Sequence, residues 1–148
     1  MLRVILLLLG GFFTLHVHAF PCFLTMVKDS CWTNYTLTVT VTNANTEATV
    51  ATVIVPQGQS WVRQAFTCQP GDDLSLKATF TPVFWESDEG KVYPALRDWK
   101  LPDTVNKGDT AWNITVCYPE AFSEVPLPPD ASSNCKCATD NIPPVPPQ

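Results

Sequence analysis

Carboxylates bunch at two points of the chain, Asp72 and Asp73 in one turn and Glu86, Asp88 and Glu89 in another. A pair of carboxyl groups can hydrolyse a glycosidic bond when one serves as acid and the other as base or nucleophile. That chemistry needs surroundings that drive the two pKa values apart, and a solvated hairpin tip does not provide them. All five are therefore read as solvated turn residues, and a carboxylate-dependent hydrolase ranks third among the functions considered. Glu86-Ser87-Asp88-Glu89 also offers closely spaced oxygens to a calcium ion. Its spacing is not that of an EF-hand loop, so a solubilising loop is the reading and no metal is expected.

The two histidines, His16 and His18, narrow the chemistry further. Both fall inside Met1–Ala19, which reads as a secretory signal: Arg3 gives the positive start, Val4 to Phe13 the apolar centre and Val17-His18-Ala19 a small-residue cleavage site. The apolar run is shorter than the roughly 20 residues that cross a bilayer, so an uncleaved anchor is disfavoured. Cleavage leaves a chain without histidine. Ser-His-Asp, Cys-His and His-metal sites are then excluded together, and the expectation is a protein that is not an enzyme and carries no cofactor.

All six cysteines, Cys22, Cys31, Cys68, Cys117, Cys135 and Cys137, lie beyond that cleavage point. An even count in a secreted chain predicts three disulfides, with fifteen pairings open. Cys135 and Cys137 flank the single residue Lys136, and a bridge between them would be badly strained. They are expected to reach two different partners and so staple the end of the chain to the domain. A Cys-x-Cys metal or redox site lacks the other ligands it would need.

The remaining candidates are aromatic. Phe84, Trp85, Tyr93 and Trp99 gather around the acidic turn, and aromatic side chains outside a core are common anchors of binding surfaces. Trp85 and Trp99 are the preferred contact residues, whereas Phe84 and Tyr93 are better explained by packing between the sheets.

These residues need strands to hold them. Tyr35, Leu37, Val39 and Val41 alternate with Thr36, Thr38, Thr40 and Thr42, the period of a strand with one face buried and one wet. Ala48 to Val55 is apolar on both faces and reads as an interior strand. Ser60 to Cys68 alternates less cleanly, and Gln69-Pro70-Gly71-Asp72 is a turn with Pro and Gly at its central positions. Leu74, Leu76, Ala78 and Phe80 alternate with Ser75, Lys77, Thr79 and Thr81. Val83-Phe84-Trp85 and Val92 to Leu96 read as a hairpin whose return strand, carrying Pro94, lies at an edge. Arg97 to Asp109 reads as irregular. A last strand, Thr110 to Tyr118, turns Trp112, Ile114, Val116 and Tyr118 inward.

Two glycan-acceptor triads, Asn34-Tyr35-Thr36 and Asn113-Ile114-Thr115, place Asn and Thr on the polar side of their strands. The stretch before the first strand, with Cys22 and Cys31, reads as a short lead. Eight of the fourteen prolines fall between Pro119 and Pro147, which marks a tail with extended polyproline character.

The fold class expected is all-β: an antiparallel, immunoglobulin-like β-sandwich of six or seven strands over residues 20–118, stapled by disulfides. Residues 1–19 are the signal, and 119–148 a Pro-rich tail pinned by Cys135 and Cys137. The formal charge, −5 for the whole chain, becomes −6 without Arg3, which disfavours nucleic acid as a partner. The sequence expects a secreted, extracellular binding module for a protein or a cell-surface glycan, without a transmembrane anchor. A carrier of a small hydrophobic ligand is the alternative. Oligomeric state is open.

Overall fold

A computed structural model describes residues 19–132 and 134–148 of the chain. The signal expected over Met1–Ala19 therefore lies, apart from Ala19, outside the described residues. Among the described residues eight strands form two sheets: β1 (Phe20–Lys28), β2 (Thr36–Asn43), β3 (Thr49–Val55), β4 (Trp61–Cys68), β5 (Asp73–Thr81), β6 (Tyr93–Pro94), β7 (Trp99–Lys100) and β8 (Trp112–Tyr118). One sheet runs β4-β1-β8, and the other β3-β2-β5-β6, with β7 also on β5.

The first strand is a correction to the sequence reading, which took this stretch as a lead. β1 lies between β4, antiparallel, and β8, parallel. A strand covered on both faces shows no alternation. Leu24 and Met26 turn into the interior, while Thr25 and Val27, on the other face, are also fully buried. The reverse correction applies to β3: apolar on both faces, it is nevertheless an edge strand, with Ile54 half exposed.

The best alternations are where the pattern put them. β2 buries Leu37, Val39 and Val41, and β5 buries Leu74, Leu76, Ala78 and Phe80. The two strands pair antiparallel, with Val39 opposite Ala78, so both buried rows share one face. The chain turns from β4 into β5 at Pro70-Gly71. Gly71 has φ +79°, open to glycine, and a Cβ there would also meet Asp103 Oδ1 at 3.3 Å. The expected Val83–Trp85 hairpin strand is absent. Glu86–Asp88 forms a 3-10 turn instead, and β6 pairs with β5, with Pro94 on the outer edge where its missing N–H costs no ladder bond. The irregular stretch after Arg97 contains β7, two residues paired with the start of β5.

Both sheets contribute to one core. At one end of it Trp32, on a 3-10 turn (Ser30–Trp32) capped by Asp29, sets its ring edge-on to Phe80 of one sheet at 4.7 Å and Tyr118 of the other at 4.8 Å. Edge-to-face contacts of this kind add to the area buried.

Three disulfides close the chain: Cys22–Cys68 between β1 and β4, Cys31–Cys135, and Cys117–Cys137. Cys135 and Cys137 thus take separate partners, Cys31 and Cys117. Beyond them the chain continues across the outer face of the β4-β1-β8 sheet: Asp29 and Cys137 form a bridge, and Arg63 Nη2 donates to the Pro143 carbonyl at 2.7 Å. This is the cover over Thr25 and Val27. The last thirty residues act as a strap.

Candidate functional site

The crossing of chain from β5 to β7 carries three of the six exposed large hydrophobic side chains among the described residues. Trp85 is 64% exposed, Leu96 65% and Val92 48%. Trp85 stands just ahead of the 3-10 turn Glu86–Asp88 in an extended conformation (φ −128°, ψ 139°), which directs its ring to the side opposite Phe84. Phe84 itself is half buried among Trp32, Tyr35 and Phe80. Tyr93 is in the core, stacked on Phe80 at 5.6 Å, and presents no surface.

Trp99 takes an intermediate place. β7 fixes its backbone, part of its ring packs on the core, and the Arg97 guanidinium lies 4.9 Å from its centre. With Leu96, Arg97, Val116, Glu120 and Ala121 it lines an open groove of about 410 Å³. The groove runs where the free edge of β8 faces the β6–β7 edge of the other sheet. Trp85 is not among its walls, so the four aromatic residues singled out by sequence are divided three ways: one on the surface, one in the groove, two packed inside.

The edge of β8 adds a second recognition element. Tyr118 O accepts from Asp29 N, which fixes the even-numbered residues of β8 toward β1. Asn113, Thr115 and Cys117 consequently turn their peptide groups outward, and of these Cys117 O is taken by Ala121 N. The rest form a short unpaired edge, a template for an added strand. Leu96, Arg97 and this edge were missed by sequence reasoning because only the topology brings them together.

The carboxylates do not assemble. Asp72 accepts from Asn43 Nδ2 at the end of β2 with one oxygen and from Gln69 N of its own turn with the other. Glu86 and Glu89 are exposed. Among the described residues, Asp29, Cys31 and Cys135 are the only three potential metal ligands close together, and both sulfurs are spent in their disulfide. Asp29 itself accepts from Cys31 N, and burial pushes its carboxyl pKa up.

One buried cation has a measurable consequence. Lys28 is 2% exposed and donates from Nζ to the carbonyls of Tyr35 at 2.6 Å and Pro56 at 2.8 Å. Burial pulls its pKa down to about 8 from 10.5. The unfolded chain then binds the extra proton between those values, so folding stability rises as pH increases through this window. The full span is worth up to about 3 kcal/mol. Tyr118 and Tyr93 act oppositely: burial raises both, so stability falls once the unfolded tyrosines ionise above about pH 10. Denaturant titrations from pH 7 to 11 should show a rise followed by a fall, and Lys28→Met should flatten the rise. An unchanged slope in that variant would contradict this assignment.

No family model, curated protein or solved structure matches the chain. Function therefore has to be argued from the surface itself.

Proposed function

We propose that this chain is a secreted, N-glycosylated, immunoglobulin-like sandwich that works without catalysis, as a binding module for an extracellular protein. Its contact face is the β5–β7 crossing with Trp85, Val92 and Leu96, continued into the groove of Arg97 and Trp99. The observation that carries the reading is the exposure of Trp85 and Leu96 on one short crossing, since solvent-facing Trp and Leu cost free energy unless a partner covers them. The unpaired β8 edge supports a protein partner over a glycan, because main-chain groups there can accept an added strand. Three disulfides, and the lack among the described residues of any helix long and apolar enough to cross a membrane, are compatible with this setting.

The test is capture of cell-surface or extracellular-fluid proteins by the native protein and by variants with equal thermal stability. Trp85→Ala with Leu96→Asp should weaken capture at least about tenfold, the effect of losing one or two anchors. Ile54→Asp, on the far edge strand β3, should leave it intact. Equal loss in both variants, or none in either, would end this assignment of the face.

A second reading has one observation in its favour. The groove beside Trp99 has the size of a small-molecule site and a partly apolar lining, so a hydrophobic ligand could lie in it. Displacement of a fluorescent fatty-acid probe by Leu96→Asp, without change in protein capture, would favour the carrier.

A further inference from the structure

Two of the three disulfides open onto one groove. Asp29, Cys117, Glu120, Cys135, Lys136 and Cys137 are among the walls of a space of about 400 Å³ where the strap meets β8. The third bridge, Cys22–Cys68, is sealed in the core, its cysteines 1% and 2% exposed. A disulfide exchanges only where a thiolate reaches one of its sulfurs and the sulfur that leaves can hold the electron pair.

The Cys31–Cys135 bridge meets both conditions. Cys135 is half buried and lines the groove, whereas Cys31 is buried and does not. Attack therefore falls on Cys135, and Cys31 is the leaving sulfur. Ser132 Oγ lies 3.6 Å from Cys31 Sγ, where its hydroxyl can donate to a thiolate. A carboxyl oxygen of Asp29 and both sulfurs lie within 4.8 Å of one another, so Asp29 supplies a proton carrier that the Cys-Lys-Cys spacing does not itself contain. The bond from Cys31 N at 2.9 Å fixes this carboxyl, and burial, which raises its pKa, suits it to hold a proton. Cys137 Sγ, by contrast, lies against two carbonyl oxygens, Val27 O at 3.5 Å and Tyr118 O at 3.9 Å, which resist negative charge.

Opening this bridge does not free Cys135. Cys117–Cys137 holds the chain two residues on, Asp29 and Cys137 pair as a β-bridge, and Ser30 N donates to Lys136 O at 3.1 Å. The two sulfurs stay opposed, and reclosure is an intramolecular step at high effective concentration.

We infer that Cys31–Cys135 is a reversible thiol–disulfide exchange site, entered through the groove by a peptide-sized thiol that carries both a carboxylate and an ammonium. Asp29 is its proton carrier, and Cys117–Cys137 is the staple that keeps it in register. Lys136 and Glu120, exposed and of opposite charge on the groove walls, match the two charges of such a thiol. In opening, the thiolate attacks Cys135 Sγ and forms a new S–S bond; the bond to Cys31 breaks, and Cys31 Sγ leaves with the electron pair and takes the proton of the Asp29 carboxyl. In closing, the Asp29 carboxylate takes that proton back, Cys31 Sγ attacks Cys135 Sγ, and the thiolate is released. One disulfide is lost and one gained each way, so no further oxidant or reductant enters. The site is separate from the binding face proposed above and does not depend on it.

The three-disulfide protein is incubated with reduced glutathione at neutral pH, quenched in acid and alkylated, and each cysteine is read by peptide mass spectrometry. Glutathione should appear on Cys135 with Cys31 free, at least about tenfold faster than any product at the other two bridges. First exchange at either of those bridges, or glutathione on Cys31, overturns the proposal. Reclosure of the Cys135 adduct, isolated in acid, is then timed by released glutathione. Asp29→Asn keeps a capping side chain and should slow reclosure at least about tenfold at neutral pH. The slowing should shrink above about pH 9, where the Cys31 thiol ionises without help. Tyr118, Glu120 and Lys136, titratable groups that share the surroundings of Asp29, are the same in both proteins. No slowing, or equal slowing at both pH values as a packing role would give, overturns the proposal.

Discussion

Trp32→Ala is expected to cost about 3 to 5 kcal/mol of folding stability, the range for truncating a fully buried tryptophan. The side chain is 1% exposed and touches Tyr35, Phe80, Phe84 and Tyr118, so its loss opens a hole bordered by both sheets at once. Its indole N–H has no hydrogen-bond partner among the described residues, which removes a little from the loss because that buried donor disappears too. A domain stable by only about 5 to 15 kcal/mol is left near its unfolding midpoint by such a change. Trp85→Ala serves as the contrast. With that ring mostly in water, the cost should stay within about 0.5 kcal/mol. Urea unfolding of the two variants separates them, and a Trp32→Ala loss below about 1 kcal/mol would contradict the packing described.

The second large effect concerns the strap. Removing either of its bridges should cost about 2 to 5 kcal/mol, but the two losses should differ. Cys31–Cys135 spans 104 residues and Cys117–Cys137 spans 20. In the chain-entropy account the longer loop contributes more, by about 1.5 kcal/mol. Opening Cys117–Cys137 also loosens the cover over Val27 and Thr25, which narrows the gap without reversing it. Paired serine variants compared in guanidinium give the ranking. A dangling tail, by contrast, would give nearly no loss for either pair.

The two strands with one wet face, β2 and β5, were legible in the sequence because water on one side imposes alternation. The strand most central to its sheet was not. β1 has Leu24 and Met26 against the core and Val27 and Thr25 under the strap, and burial on both sides erases the period. Ala48–Val55 misled in the opposite sense, since Ile54 stays half exposed on an edge although its neighbours in sequence are apolar. Separate partners for Cys135 and Cys137 followed from local geometry, but which partners they take depends on the fold. At the candidate site, the aromatic density around residue 85 was visible in the sequence, and Trp85 is exposed. Tyr93 could not be told from it by sequence, because its burial follows from β6 pairing with β5, which puts it opposite Ala78. The groove beside Trp99 joins edges of two sheets, and no local signal encodes that meeting.

The claim on which most else depends is that the C-terminal segment is strapped by Cys135 and Cys137 to the 3-10 turn Ser30–Trp32 and to β8. Peptide mapping of the unreduced protein tests it directly. The expected fragments join Cys22 to Cys68, Cys31 to Cys135 and Cys117 to Cys137, with no free thiol. Free Cys135 and Cys137, or a bridge between them, would leave the strap unattached and contradict the account.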